Sequence, residues 1–234
     1  MIAWARRQVA SLPREVAVAL LALLAIDVVL IGVHALHVRY GLPGGGIWLI
    51  SRDRGIPESF QYLKMAAIIA LLLMSHRRHR SAIYLAWAAT FGYFLVDDSA
   101  EVHETLGDLV ADGAGFDQPL GLEGRDVGQV LVSASIGVVL LVAIGVATSR
   151  DRSPARPLTI RLLPLLVALG FFGVVVDVID AIDVLGLVED GGEMVTMTVA
   201  VAVVVDHWRR VGRSLDAHQS GISTSVTGDS TQPA

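Results

Sequence analysis

Residues 81–104 read SAIYLAWAATFGYFLVDDSAEVHE, an apolar run that ends in a cluster of acidic side chains. The apolar part approaches the roughly 20 residues that a helix needs to cross a bilayer. Carboxylates at membrane depth are costly, and proteins usually retain them because they serve a function. This stretch therefore predicts a transmembrane helix with a polar site where the helix ends.

The composition indicates that most of the chain consists of such helices. The 234 residues are 53% hydrophobic and 18% charged, with mean hydropathy +0.61, whereas soluble domains are about 45–50% apolar and about 25% charged. The pattern predicts an all-α, polytopic membrane protein with six transmembrane helices, at residues 16–38, 59–75, 81–103, 127–148, 160–183 and 191–207. Residues 1–213 form the predicted membrane domain. Residues 214–234 have little apolar surface to bury, so they are predicted to be a disordered cytoplasmic tail.

The distribution of arginine predicts the orientation. An N-terminus on the inner side places 13 of the 17 arginines in inner segments and four in outer segments. Because cytoplasmic segments are enriched in Lys and Arg, both termini are predicted to be cytoplasmic. Residues 39–58 and 104–126 then form outer loops. The short arginine clusters adjoin the spans and serve this topological role, so no nucleic-acid partner is expected.

In this orientation, 17 of the 23 acidic residues lie on the outer side. A rise of about 1.5 Å per residue brings Asp97, Asp177 and Glu193 to one depth, near the outer edge of a hydrocarbon core about 30 Å thick. His34 and Glu58 lie at the same level. Four or five helices are therefore predicted to bring ligand-type side chains to one layer of the membrane.

Helical periodicity predicts which of the acidic side chains face one another. If the third helix continues through Glu104, then Asp97, Glu101 and Glu104 fall within an arc of about 60°. Asp98 lies about 100° round the helix, and His103 lies away from the Asp97 face. Each of the helices concerned could thus present two or more carboxylates on one side.

Clustered carboxylates raise one another's pKa, so protonation, basic partners or a bound cation must compensate for them. A divalent metal ion would do so: oxygen ligands suit Mg²⁺, Ca²⁺ or Mn²⁺, and histidines would admit Fe²⁺ or Zn²⁺. The predicted metal ligands are Asp97, Asp98, Glu101, His103, Glu104, Asp177, Asp180 and Glu193. The chain has no cysteine, which excludes thiol nucleophiles and thiolate metal sites. It also lacks His-Glu-x-x-His, EF-hand and Glu-x-x-His signatures.

Two charged residues lie deeper within predicted helices. Asp27 is near the middle of the first, between Ile26 and Val28, and Lys64 is the only lysine in the chain. Lys64 is a candidate partner either for Asp27 or for the carboxylate cluster. Asp27 and Lys64, with His34 and Glu58, are predicted to support the ligands or relay charge.

The motif at 97–104, Asp-Asp-x4-His-Glu, preceded by Glu58-x-x-Gln61-Tyr62-x-Lys64, resembles uncharacterised bacterial multi-pass membrane proteins. The resemblance covers two short helix segments and carries no known activity. It implies a bacterial plasma (inner) membrane location. It also implies that one functional set is formed by Glu58, Lys64, Asp97, Asp98, His103 and Glu104.

Three functions are compatible with this pattern. The first is a metal-dependent membrane hydrolase, in which metal-activated water attacks a lipid-like or small substrate at the outer face. The second is a cation or proton transporter with an acidic outer vestibule. The third is a non-catalytic membrane subunit that docks a partner. The sequence determines neither the metal nor the oligomeric state.

Overall fold

A computed structural model describes residues 12–50, 52, 54–115, 123–151, 153–176 and 183–227. These residues are all-helical, with seven α-helices and no strand. The helices are α1 Arg14–Tyr40, α2 Ile56–His79, α3 Ala82–Ala100, α4 Val102–Ala114, α5 Gly124–Arg150, α6 Arg156–Gly170 and α7 Asp183–Thr227. A 3₁₀ turn, Gly46–Trp48, follows α1, and a π-helical segment, Phe171–Val176, continues α6.

Four helical segments in the described part of the chain are long and apolar enough to cross a membrane. They are Arg14–Tyr40, Ile56–His79, Gly124–Arg150 and Arg156–Gly173. The other two predicted spans fall in α3 and α7, which are not among these four segments. A membrane protein is therefore consistent with the structure, and the count of six spans stays a prediction.

The core lies among α2, α3, α6 and α7. Tyr84 and Trp87 of α3 are fully buried there, against apolar side chains of α2, α6 and α7. By contrast, α1 and α5 leave many valines and leucines exposed, including Val28 and Val139. Such faces suit contact with lipid.

The third helix ends earlier than predicted. The sequence predicts a span to His103, but α3 stops at Ala100, because Glu101 adopts a left-handed conformation with φ 50° and ψ 43°. The chain turns there and starts α4 at Val102. The predicted arc of Asp97, Glu101 and Glu104 on one continuous helix is therefore wrong.

Much of the outer loop predicted at 104–126 is helix α4. This helix packs along the start of α5 at Gly107 and Gly128. A Cβ atom on Gly107 would lie 2.6 Å from the backbone nitrogen of Gln129, and one on Gly128 would overlap the carbonyl oxygen of Gly107. The two glycines thus allow the backbones to touch, which holds α4 against the bundle.

Helix α7 extends beyond the predicted sixth span at both ends. It continues as helix to Thr227, whereas the composition of residues 214–234 predicts disorder. Proline disrupts a helix, and the first proline in that stretch is Pro233, which lies after the end of α7. At the other end, α7 includes Glu189, Asp190 and Glu193.

The two ends of the bundle differ in charge. The basic end is where α2 and α5 end and α3 and α6 begin. There Asp206 of α7 accepts hydrogen bonds from Arg161 at 2.7 Å and Arg210 at 2.9 Å. The hydroxyl group of Tyr84 and the Nε2 atom of His207 form a 2.9 Å hydrogen bond. These contacts tie α3, α6 and α7 together. The opposite end, where α1 and α3 end and α2 and α7 begin, is called the acidic end below.

Candidate functional site

The turn at Glu101 brings His103 back onto Asp97. Asp97 Oδ1 accepts a 2.8 Å hydrogen bond from the backbone nitrogen of His103, and Oδ2 lies 3.1 Å from its Nδ1. The sequence predicted His103 on the side away from Asp97. That prediction is wrong, because the helix breaks at Glu101 and the chain turns back. The hydrogen bond to Asp97 raises the pKa of His103 above its usual 6.5, although partial burial opposes the shift.

A second carboxylate, Glu58 in the first turn of α2, is held by its own neighbours. It accepts hydrogen bonds from the hydroxyl of Tyr62 and from the backbone nitrogen of Arg54. The Tyr62 hydroxyl also lies 3.1 Å from the carbonyl oxygen of Asp98. This arrangement joins the start of α2 to the end of α3.

Between these helices and α7 lies a cavity of about 190 Å³, called the acidic cavity below. Seven carboxylate side chains line it: Glu58, Asp97, Asp98, Glu101, Glu104, Asp190 and Glu193. Arg52 and His103 are the basic side chains in the described lining. With so many acidic groups around one space, the cavity favours cations.

Gln61 also lines the acidic cavity, and its side-chain oxygen has no hydrogen-bond partner in the part of the chain that the structure describes. The residue is only 7% exposed, and among the described residues no donor is within hydrogen-bonding distance of its Oε1. A buried acceptor left unsatisfied costs about 1–3 kcal/mol. Since Gln61 is a lining residue, a donor or cation bound in the cavity could satisfy this oxygen.

Glu193 reaches the cavity from α7, where α7 passes the end of α6. A Cβ atom on Gly173 would overlap the carboxylate of Glu193, so the glycine leaves room for this acid. The next residue, Met194, lines the cavity as well. Helix α7 thus completes the wall opposite α3.

An ion pair lies directly beneath the acidic cavity. Lys64 Nζ is 3.0 Å from Asp27 Oδ1, 2.9 Å from the carbonyl oxygen of Met194 and 3.2 Å from Thr198 Oγ1. Thr198 donates a 2.6 Å hydrogen bond to Asp27 Oδ2. Lys64 and Asp27 are only 2% and 0% exposed. The network joins α1, α2 and α7 one turn below Gln61.

Two other predicted residues have separate structural contacts. Glu104 pairs with Arg125 of α5 at 3.0 Å, and Arg125 also lies 2.9 Å from Asp108. The Nδ1 atom of His34 accepts a 3.0 Å hydrogen bond from the backbone nitrogen of Ile50. His34 therefore anchors the segment after α1 and does not line the acidic cavity.

A larger cavity of about 690 Å³ adjoins the acidic cavity and extends between α5 and α6. The two share polar lining residues, Gln61, Asp97, Asp98, His103, Glu104 and Glu193. Farther along, its walls are apolar and include Leu141, Leu166 and Leu169. This larger space is called the lateral cavity below.

Six of the eight predicted metal ligands line the acidic cavity, while Asp177 and Asp180 lie outside the described residues. In the part of the chain that the structure describes, no three Asp, Glu or His side chains are grouped closely enough to hold a metal ion. The predicted ligands did not include Gln61, Asp190 or Arg52, which also line the acidic cavity. Gln61 lies one turn after Glu58 on α2, a spacing that places the two residues on one side of the helix.

Comparison with known families gives one match. The profile of a domain of unknown function (DUF8692) matches residues 59–208, which span α2 to most of α7, so the chain belongs to that family. The match includes Gln61, Lys64 and the 97–104 motif. Neither the curated proteins nor the solved structures contain a match to the chain.

Proposed function

We propose that this member of the DUF8692 family is an integral membrane protein that binds a cation in the acidic cavity. The observation that carries the proposal is the unsatisfied Oε1 of Gln61, which lies among seven carboxylates. Acidic side chains alone are often merely solvated. A buried acceptor without a partner is costly, so its presence here indicates that a ligand completes the site.

Seven carboxylates line the acidic cavity, and its described lining has two basic side chains, Arg52 and His103. The pairing of Arg125 with Glu104 and Asp108 uses one cation for two acids. His103 pairs with Asp97, so its positive charge, when present, compensates for that one carboxylate. This excess of acidic over basic side chains in the described lining favours a cation in the cavity.

The existing hydrogen bonds favour an organic cation over a metal ion. Both oxygens of Asp97 interact with His103, and Glu58 and Glu104 also have protein partners. A divalent metal needs several oxygens at about 2.0–2.6 Å, so these contacts would have to break. An ammonium group can instead donate three hydrogen bonds to carboxylate and amide oxygens that stay where they are.

Metal-dependent hydrolysis is a second candidate because six predicted ligands line one cavity. In that case Asp97, Asp98 and Glu193 would rearrange around the ion, and metal-bound water would be the nucleophile. Elemental analysis of the purified protein tests this candidate. Stoichiometric metal that is lost in Asp97→Ala supports it, and metal-free parent protein after loading with Mg²⁺, Mn²⁺ or Zn²⁺ excludes it.

Transport is a third candidate, and the buried Asp27–Lys64 pair favours it. Lys64 donates a hydrogen bond to the backbone of Met194, and Met194 lines the acidic cavity. Charged side chains therefore lie both around the cavity and one turn below it. Intramembrane ion pairs often mark ion or proton pathways. Counterflow of a radiolabelled cation in proteoliposomes tests this candidate, and Lys64→Met is expected to abolish the flux.

In this proposal the acidic end faces the outside of a bacterial plasma membrane, six helices cross the bilayer, and both termini are cytoplasmic. The arginine distribution supports this orientation. The cavity would then collect cations from the extracytoplasmic side.

The experiment that tests cation binding uses butylammonium as the probe and butanol as its uncharged control. Titration calorimetry on the parent protein is expected to show saturable binding of butylammonium only. Asp98→Asn and Glu193→Gln are each expected to weaken binding about tenfold, the loss of one charge-assisted hydrogen bond. Asp112→Asn is the matched control, because Asp112 is an exposed acid of α4 outside both cavities.

Gln61→Leu separates ligand binding from folding. It removes the unsatisfied buried oxygen, so the ligand-free variant should be at least as stable as the parent. The same change should weaken butylammonium binding, because one acceptor is lost. Unchanged binding in Gln61→Leu, or equal binding of butanol and butylammonium by the parent, would contradict the proposal.

A further inference from the structure

The lateral cavity offers room for more than a charged group. Its volume of about 690 Å³ lies in the range of about 300–1,000 Å³ that is usual for ligand pockets. It shares Gln61, Asp98 and Glu193 with the acidic cavity. A molecule whose charged group is bound by these residues can therefore extend its remainder into the lateral cavity.

One face of α5 forms a polarity gradient along this cavity. Its lining residues, Asp126, Gln129, Ser133, Gly137 and Leu141, follow one another at intervals of three or four positions. That spacing places them on one side of the helix. Over about 22 Å, the length of 15 residues, the wall changes from a carboxylate to leucine. The gradient matches a molecule with one polar and one apolar end.

The lateral cavity opens sideways between α5 and α6. Helix α5 packs on α3 and α4 and touches α6 only marginally, which leaves a gap between two consecutive helices. Met197 of α7, at 1% exposure, lies deep in the lining. Leu141 and Val167, at 45% and 62%, lie at the rim. In a bilayer this rim would face the lipid chains.

We infer that the cation of the proposed function is amphipathic: an ammonium group on a hydrocarbon chain, which enters sideways between α5 and α6. The inference rests on the cation site of the proposed function. The acidic lining selects the ammonium group, and Gln61 Oε1 supplies an acceptor independent of the acids. A phosphate-bearing headgroup is disfavoured, because Arg125 is already paired with Glu104 and Asp108.

Affinity alone would be a poor test of this inference. Lipid tails are as apolar as leucine side chains, so a chain that moves from the bilayer into the cavity gains little hydrophobic free energy. The headgroup contacts supply the binding free energy, and the chain determines where the molecule lies. The informative measurement is therefore the location of the chain.

The experiment uses the full chain in phosphatidylcholine nanodiscs and dodecylammonium with a diazirine on its hydrocarbon chain. After photolysis, peptide mass spectrometry is expected to find saturable labelling at residues 137–141 and 166–170. A tenfold excess of unlabelled dodecylammonium should reduce this labelling about tenfold, because the two compounds compete for one site by mass action. Dodecanol and dodecyl phosphate should leave it nearly unchanged.

Two tryptophan variants complete the design. Leu141→Trp fills the lateral cavity and is expected to reduce labelling about tenfold. Val138→Trp places the same bulk on α5 outside both cavities, at a position that is 60% exposed, and should have no effect. Val138→Trp should also bind butylammonium as the parent does, because Val138 lines neither cavity.

The outcomes distinguish the two proposals. Suppose that the parent binds butylammonium, but the diazirine labels all lipid-facing helices evenly or both tryptophan variants lose labelling equally. Either result rules out the amphipathic ligand and leaves the proposed cation site in place. If the parent does not bind butylammonium, the proposed function itself fails.

Discussion

At the scale of single residues, Asp27 and Lys64 form an ion pair that is almost completely buried. Removing one partner of such a pair leaves an uncompensated charge, which typically costs about 3–5 kcal/mol. Lys64→Met should therefore lower the free energy of unfolding by about that amount. The double variant Asp27→Leu/Lys64→Met should recover most of the loss, since an apolar replacement of both partners is often neutral. Unfolding in mixed micelles measures both changes, and a double variant no more stable than the single would contradict this account.

His103 gives the acidic end a predicted pH dependence. Its folded-state pKa is raised above 6.5 by the hydrogen bond to Asp97. The contribution to stability is fully present below the unfolded pKa near 6.5 and is lost as the pH rises through the folded pKa. His103→Gln should therefore lower the melting temperature most at about pH 5–6 and least at alkaline pH. A melting-temperature difference that is independent of pH would show that the His103–Asp97 pair does not titrate as expected.

At the scale of elements, Gly107 and Gly128 determine where α4 lies. Gly107→Ala forces a Cβ atom against the backbone of Gln129, so we predict a loss of about 1–3 kcal/mol and looser packing of α4 on α5. Gly113→Ala is the control on the same helix: open space surrounds that position, and alanine favours helix. Thermal unfolding and limited proteolysis between α4 and α5 measure the effect. Equal stability of the two variants would contradict it.

The elements also show what the sequence could and could not predict. Apolar length predicted residues 127–148, and α5 covers Gly124–Arg150. The break after Ala100 was not predictable, because glutamate rarely adopts positive φ and local sequence offers no glycine there. Contact between α4 and α5 favours the break, and such tertiary effects do not appear in helical periodicity. Residue depth is less sensitive to a local break, and six of the eight residues predicted as ligands line the acidic cavity.

Within the site, the same distinction holds. Depth along each helix predicted Glu58, Asp97 and Glu193 at one level, and all three line the acidic cavity. The sequence named Lys64 as a candidate partner of Asp27, and their polar atoms lie 3.0 Å apart. Gln61 was not among the predicted ligands, because its importance comes from burial without a hydrogen-bond partner. Only a structure reveals such a feature.

At the scale of the whole molecule, the charge difference between the two ends predicts the orientation. The chain has no cysteine, so single substitutions can be labelled without background. Gly44→Cys and Gly113→Cys at the acidic end should react with an impermeant maleimide in intact cells. Ser149→Cys at the basic end should react only after permeabilisation. The reverse pattern would place the acidic cavity on the cytoplasmic side and refute the proposed topology.

The central claim is that the acidic cavity holds a cation among carboxylates and Gln61. Solid-state NMR of the ¹³C-labelled protein in lipid, with ¹⁵N-butylammonium added, tests it directly. We expect magnetisation transfer from the ammonium nitrogen to the side-chain carbonyl carbon of Gln61 and to carboxyl carbons. The carboxyl signals should disappear in Asp98→Asn and Glu193→Gln and should persist in Asp112→Asn. Absence of any transfer at saturating butylammonium, or transfer unaffected by these two variants, would contradict the claim.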